Sequence, residues 1–398
     1  MKRILFLTFY FRPDLCAGSF RNSPLLDELS RQTKDKNIQI DVLTTIPNRY
    51  STFNHDYQKK ESFDNVHIER IDIPEHKSGM ADQALSFKSY FFETLKRTKS
   101  KNYDLVYGSS SRFFTSYLAY RVAKNQRCPL YIDVRDIFSE TLADISNNVL
   151  IRHALPPVIS VLENRVYKYA THINLISEGF KESFKDYTST EFSYFSHGVD
   201  PMFLNSPEEM NAPESAQKKK ILYAGNVGEG QGLHKIIPEA AKKIEKTHQF
   251  EIIGDGGAMD KLKSALEDLN VQNVHIKEPV EREKLVDIYY DADILFIHLN
   301  NYKIFEKVLP SKIFELAVIG KPILAGVNGY SESFLKKHVD HSYIFPPCNH
   351  EKMLNKISEI EQSSYQINPS EIEDFKKKFD RGAINSKMAE SIINTLKP

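Results

Sequence analysis

Runs of apolar residues, each closed by turn-forming residues, recur along the chain. Residues 4–10 are continuously apolar, which predicts a strand buried on both faces of a parallel sheet. Leu25, Leu26 and Leu29 then mark one face of an amphipathic helix, and Ile38 to Thr44 reads as the next strand. Strand, loop, helix and strand in that order make the unit of a doubly wound sheet. The pattern returns at Asp104 to Tyr107, Pro129 to Val134 and Thr171 to Ile176. A second series opens at Ile221 to Ala224 and runs through Phe250 to Ile253, Val274 to Lys277, Ile294 to Ile297, Ile323 to Ala325 and Tyr343 to Phe345. Between the two series, Asn205 to Lys220 is polar and reads as linker. The prediction is an α/β protein of two domains, 1–200 and 201–379, each long enough to bury its own core.

Composition narrows the function classes. The 398 residues carry 53 Lys+Arg against 53 Asp+Glu, so no excess of charge points to nucleic acid. Cys16, Cys128 and Cys348 show neither paired nor metal-like spacing, which suits a reducing cytoplasm. Met1-Lys2-Arg3 before Ile4 to Leu7 imitates a signal peptide, but Arg12-Pro13-Asp14 ends the apolar run too early. No run approaches the ~18–20 apolar residues of a membrane span. The expectation is a cytoplasmic protein, with peripheral contact to the inner face of the cytoplasmic membrane as an open option. A helix over about 84–101 raises that option: it carries Leu85, Tyr90, Phe91, Phe92 and Leu95 beside Lys88, Lys96, Arg97, Lys99 and Lys101. A core-facing helix with a solvated basic side explains the same residues.

Candidate chemistry lies at four places. In the helix after Pro310, the residues Ile313, Leu316, Ala317 and Gly320 follow helical spacing toward a core, while Ser311 and Lys312 open it and Glu315 follows one turn later. A lysine in a first turn opposes the helix dipole unless an anion sits there, where backbone N–H groups, dipole and amine act together. Glu315 could accept hydrogen bonds from paired sugar hydroxyls; an ordinary surface Lys–Glu pair is the alternative. The loop Gly225-Asn226-Val227-Gly228-Glu229-Gly230-Gln231-Gly232 follows a strand, as a diphosphate cradle or a plain tight turn does. In the first domain, Gly18 and Arg21 follow the first strand, and Ser110 follows a later one. Arg135-Asp136 ends another, as site residues or as a structural ion pair. Asp291-Ala292-Asp293 tempts a metal reading, but its place between a helix end and a buried strand favours a structural role.

Pro310-Ser311-Lys312-Ile313-Phe314-Glu315 with Gly320-Lys321-Pro322-Ile323 resembles the donor-binding segment of bacterial glycosyltransferase family 4. Tyr169-Ala170 before the strand ending in Ser177-Glu178-Gly179 is similar to that family too, as is Gly198-Val199-Asp200 with Phe203. The resemblance covers nearly the whole chain in the right order. It implies a GT-B fold of two Rossmann-like domains with an interdomain cleft, the first on the acceptor side and the second binding a nucleotide-sugar. A helix at about 380–398 would pack back on the first. It also implies a retaining transfer from a UDP-sugar, without metal or other cofactor, to a lipid-linked or oligosaccharide acceptor in O-antigen or capsule assembly. By resemblance, Asp136, Lys312 and Glu315 are the catalytic candidates. Donor contacts extend to Gly18, Arg21, Ser110, Arg135, Gly225, Asn226, Gly228, Gln231, Gly254, Pro279 and Ser311. Asn226, Gln231 and Lys307 depart from the common pattern, in which two cations and an acid stand there. A subgroup with Pro-Ser-Lys before the glutamate, similar to N-acetylfucosamine transferases, looks built this way. A UDP-sugar 2-epimerase of the same fold and a catalytically silent subunit are the alternatives.

Overall fold

The computed structural model describes all residues except 15, 48–56, 75–79, 111–112, 146–148, 205–217, 364–367 and 397–398. The chain folds as two units, Met1–His197 with Gly382–Pro398, and Gly198–Arg381. Most of the stretch read as linker lies outside the described residues; its last two lysines, Lys219 and Lys220, already belong to a strand.

In the first unit the strands are β1 (Lys2–Leu7), β2 (Ile38–Thr45), β3 (Lys60–Phe63), β4 (Val66–Ile71), β5 (Leu105–Ser109), β6 (Leu130–Val134), β7 (His172–Leu175) and β8 (Glu191–Ser193). They lie in the order β3-β4-β2-β1-β5-β6-β7-β8, all parallel except the β3–β4 hairpin. The apolar runs are buried as a two-faced parallel sheet requires: Ile4 to Leu7 are wholly inaccessible. The C-terminal helix Arg381–Thr395 adds Met388, Ala389 and Ile392 to the same core as Leu25, Leu26, Leu29 and Ile40, which places it in this unit.

The second unit holds β9 (Lys219–Ala224), β10 (His248–Ile253), β11 (Val274–Lys277), β12 (Ile294–His298), β13 (Ile323–Gly326) and β14 (Ser342–Phe345). All are parallel, in the order β11-β10-β9-β12-β13-β14. Chain direction across the sheet reverses between β9 and β12. At such a switch point the loops leave in opposite directions and open a crevice for ligands. One core on each sheet face buries the flanking helices.

The helix Val149–Tyr169 includes Pro156 and Pro157. Burial of Ile159, Val166 and Tyr167 holds it through prolines that cost an isolated helix about 3 kcal/mol or more. Arg21, expected to contact a donor, is engaged within the first unit. Its guanidinium is buried and holds both oxygens of Asp133 at 2.6 and 2.8 Å, and it donates to the carbonyls of Phe195 and Ser196 at 2.9 and 3.0 Å. Asn174 donates to Asp133 at 2.7 Å as well. This buried pair ties the first helix to β6, β7 and the end of the unit. Charge in a core is tolerated only while its counter-charge and hydrogen bonds remain. Asp133→Asn should therefore lose about 3–5 kcal/mol of unfolding free energy in urea; wild-type stability would show that the arginine finds water or another partner.

Candidate active site

The loop after β9 is shaped by backbone crowding. Gly225 has φ +154°, and a Cβ there would stand 3.0 Å from Lys312 Cε, so the loop and the lysine stem already touch. A Cβ on Gly254 would fall 1.8 Å from the Gly225 carbonyl oxygen. Gly254 thus serves the close passage of two backbones. The amide of Gly225 donates to Ile253 at 2.8 Å, and that of Val227 to Asp255 at 2.9 Å. Among the described residues, the amides of Asn226, Glu229 and Gly230 donate to no protein group.

Asn226 and Gln231, standing where cations were expected, bind each other. Asn226 Nδ2 donates to Gln231 Oε1 at 2.8 Å, and the Gly228 amide donates to the same oxygen at 3.2 Å. The far side of the loop is fastened from β12, across the switch point. His298 Nδ1 lies 2.6 Å from the Gln231 carbonyl and Nε2 accepts from the Cys348 amide at 2.9 Å. A carbonyl can only accept and an amide N–H only donate, so the network assigns a neutral Nδ1–H tautomer. Burial agrees, pushing the His298 pKa down to about 4. Asn300 donates from its side chain to the Glu229 carbonyl at 2.7 Å and from its own amide to the Gly230 carbonyl at 2.8 Å.

The lysine-bearing helix is short, Lys312–Leu316, and the chain then turns to Gly320 at φ +74°. Five residues align too few peptide dipoles for the strong helix-end field expected from the sequence. Ser311 makes no side-chain cap. What fixes the segment is packing: Ile313, Phe314 and Leu316 are buried, and Phe314 lies against Phe334, Phe375 and Phe379. Lys312 Nζ donates to Tyr289 Oη at 3.2 Å and lies 3.7 Å from Glu315 Oε2. Burial opposes its charge, but Tyr289 and then Glu315 outweigh that and hold the lysine pKa above its ordinary value. Burial also pushes the Tyr289 hydroxyl up to about 12, so it stays a donor at neutral pH.

Glu315 is 8% exposed. It accepts from Arg282 Nη2 at 3.2 Å through Oε1 and from Tyr289 at 3.4 Å through Oε2. A carboxylate offers about four lone-pair directions, so two remain for a ligand. Arg282, Tyr289, His298 and Asn300 escaped the sequence reading. No periodicity or motif singles them out, and only the fold gathers them. Pro279 is exposed on the turn after β11 and joins none of these bonds. Lys220 consumes the Asp291-Ala292-Asp293 pair, binding Asp291 through its amine and Asp293 through its amide at 2.7 Å. Among the described residues no group of three or more His, Cys, Asp or Glu gathers as a metal site would need.

In the first unit, Gly18 is buried in the first turn of the helix Ala17–Thr33. Ser110 is buried too, and its hydroxyl oxygen accepts from the Arg135 amide at 2.8 Å, which braces the turn after β6. Arg135 and Asp136 leave the carboxyl end of β6 without forming an ion pair within 4 Å among the described residues. Arg135 Nε is buried and meets no acceptor among the described residues. Burial lowers the arginine pKa and raises Asp136 to about 6. Nearby Glu163, buried and bonded to the hydroxyl and amide of Ser139 at 2.5 and 3.3 Å, is pushed by burial up to about 7.

Residues 205–383, within the second unit and just past its end, match the family described as Glycosyl transferases group 1. A 143-residue stretch is 25% identical to the putative colanic acid biosynthesis glycosyl transferase WcaI of Escherichia coli K12; it spans 36% of this chain and 34% of that relative's length. Among solved structures, sucrose-phosphate synthase from Thermosynechococcus elongatus aligns with a TM-score of 0.74 at 13% identity over 99% of both chains. The Anabaena protein Alr3699/HepE, in complex with UDP-glucose, aligns at 0.70 and 15% identity over 99% of this chain and 100% of its own. The fold is therefore that of the two-domain GT-B glycosyltransferases.

The Glu163 shift has a pH consequence. A carboxyl with a raised folded pKa binds more protons folded than unfolded, so its contribution is whole below pH 4.5 and is lost as pH rises through about 7. Between those limits it should remove on the order of 3 kcal/mol of stability. Urea melts from pH 4.5 to 8 should show this slope in the wild type and a flatter one in Glu163→Gln; equal slopes would refute the assignment.

Proposed function

We propose that the chain is a retaining glycosyltransferase that moves a sugar from a UDP-sugar to a hydroxyl of a lipid-linked or oligosaccharide acceptor in bacterial surface polysaccharide assembly. The observation that carries this reading is the charged Lys312 amine, lodged against Gly225 and one helical turn from the half-free Glu315 carboxylate. The loop amides and Lys312 take the diphosphate, and Glu315 takes the two ribose hydroxyls. The bond from the anomeric carbon to the diphosphate oxygen breaks as the acceptor oxygen bonds to that carbon on the same face. The acceptor proton passes to the departing phosphate oxygen. Such a step needs fixed positive charge where negative charge grows. A lysine held charged by its buried neighbours supplies that without rearranging water.

With Asn226 and Gln231 engaged by each other and Arg21 engaged by Asp133, Lys312 is the principal cation for the diphosphate. That concentration of charge on one lysine suits the Pro-Ser-Lys subgroup similar to N-acetylfucosamine transferases. Arg135 and Asp136, which form no ion pair within 4 Å among the described residues, suit an acceptor hydroxyl in the first unit.

Incubation of the pure protein with UDP-sugars separates the alternatives. Slow release of UDP supports transfer, a new UDP-sugar identifies an epimerase, and binding without turnover identifies a silent subunit. Lys312→Ala should weaken UDP binding by at least tenfold, and Glu315→Ala should do so with an unchanged circular dichroism spectrum. Wild-type affinity in either variant would remove the corresponding role.

A peripheral membrane contact accompanies this reading. On the helix Met80–Thr98, Leu85 and Phe92 are 51% and 59% exposed beside Lys88 and Lys96, whereas Tyr90 is buried. Leu155, Val158 and Val161 of the helix Val149–Tyr169 are exposed as well. Apolar side chains flanked by amines suit an anionic bilayer surface. The protein should float with phosphatidylglycerol vesicles and Leu85→Ser/Phe92→Ser should not; equal flotation would dismiss this helix as the contact.

A further inference from the structure

The two places where the chain passes between its units lie side by side, and a line of charges leads from them to Glu315. The chain enters the second unit at Gly198 and leaves it at Arg381. There, Val199 pairs with Asp380 in a parallel bridge. The Val199 amide donates to Phe379 at 2.7 Å, and the Arg381 amide donates back to Val199 at 3.2 Å. Arg381 also closes on Asp200 at 2.5 Å. The other cation on Asp200 is Arg282, which reaches the same carboxylate oxygen, Oδ2, at 2.6 Å. With its second terminal nitrogen Arg282 holds Glu315 Oε1 at 3.2 Å.

We propose that Arg282 is a positioning residue that couples occupancy of the Glu315 site to the order of the two crossing segments. This rests on the donor-site reading given above. The arrangement has the properties a coupler needs. A guanidinium presents its donors in a rigid planar fork, so one terminal nitrogen cannot shift toward a carboxylate without turning the other. Arg282 is mostly buried between Asp200 and Glu315, with a side chain 17% exposed against 14% and 10% for its partners, so the pairs are only weakly screened by solvent. Asp200 itself is an N-cap: its Oδ1 accepts the Met202 amide at 3.2 Å, which anchors the carboxylate to the backbone just past the crossing. Ribose hydroxyls donating to the two remaining lone-pair directions of Glu315 fix the carboxylate that Arg282 holds, and the steadied guanidinium in turn steadies Asp200. Removing Arg282 leaves Asp200 paired with Arg381, and Glu315 beside Lys312 and Tyr289, so neither carboxylate is stranded. The fold should therefore survive the substitution. Arg282 touches no reacting atom in this scheme; it acts through Glu315.

Hydrogen–deuterium exchange with UDP as the probe tests the coupling on the full chain. In the wild type, saturating UDP should slow exchange at the Val199 and Arg381 amides by tenfold or more. In Arg282→Gln, UDP affinity should fall about tenfold, and the slowing should vanish even at saturating UDP. Asp200→Asn breaks the pairs with Arg282 and Arg381 but spares the Arg282–Glu315 pair: it should keep UDP affinity within about threefold yet lose the slowing. Arg282→Lys, which cannot fork, should behave like Arg282→Gln. Slowing that persists in Arg282→Gln at saturating UDP would overturn the coupling while leaving the donor site intact, and so would wild-type affinity in that variant. If the wild type binds no UDP, the donor-site reading falls first, and this inference with it.

Discussion

An amine and a carboxylate one helical turn apart can stay buried together only if each has a partner and a fixed place. In the second unit that condition organises the site. Lys312 rests on Tyr289 and lies beside Glu315, and Glu315 is gripped by Arg282. The short segment carrying both is immobilised by Phe314 in an aromatic cluster, not by its own hydrogen bonds. The lysine stem in turn lies close against the loop after β9, where a Cβ at 225 would stand 3.0 Å from its Cε at a backbone φ of +154° that favours glycine. Charge placement, core packing and loop geometry are thus one constraint seen from three sides.

The loop illustrates a second economy. A phosphate-binding turn needs amides held in place before the ligand arrives, since ordering them at binding would cost conformational entropy. Here the side chains of Asn226 and Gln231 brace the turn from within, and neutral His298 with Asn300 brace it from β12. The price is that neither position 226 nor position 231 offers a free cation, which leaves Lys312 to carry the charge. The histidine suits its post because it is neutral: a protonated imidazole would carry a donor at Nε2, where the Cys348 amide already donates.

Much of this was legible in the sequence, and what was missed follows a pattern. Continuous apolar runs such as Ile4 to Leu7 and Ile221 to Ala224 announce parallel strands, because buried sheets leave no polar face to alternate with. The glycine-rich loop and the Lys312–Glu315 pair are local in sequence, so spacing alone brings them forward. Arg282, His298 and Asp200 are distant in sequence from the residues they serve, and only the strand order brings them together. Arg21 was misplaced for a related cause: its position after β1 suggests a ligand, but its partner Asp133 lies 112 residues away. The helix dipole is smaller than the sequence suggests because apolar spacing continues to Gly320, whereas the helix ends at Leu316, with the Ala317 amide bonded back to Ile313.

The account is tested most directly by the crystal structure of the protein soaked with UDP. The diphosphate should lie between the amides of the Gly225–Gly232 loop and Lys312 Nζ, with both ribose hydroxyls within hydrogen-bonding distance of Glu315. A nucleotide bound elsewhere, or one bound here with Lys312 and Glu315 left in contact with Tyr289 and Arg282 alone, would contradict it.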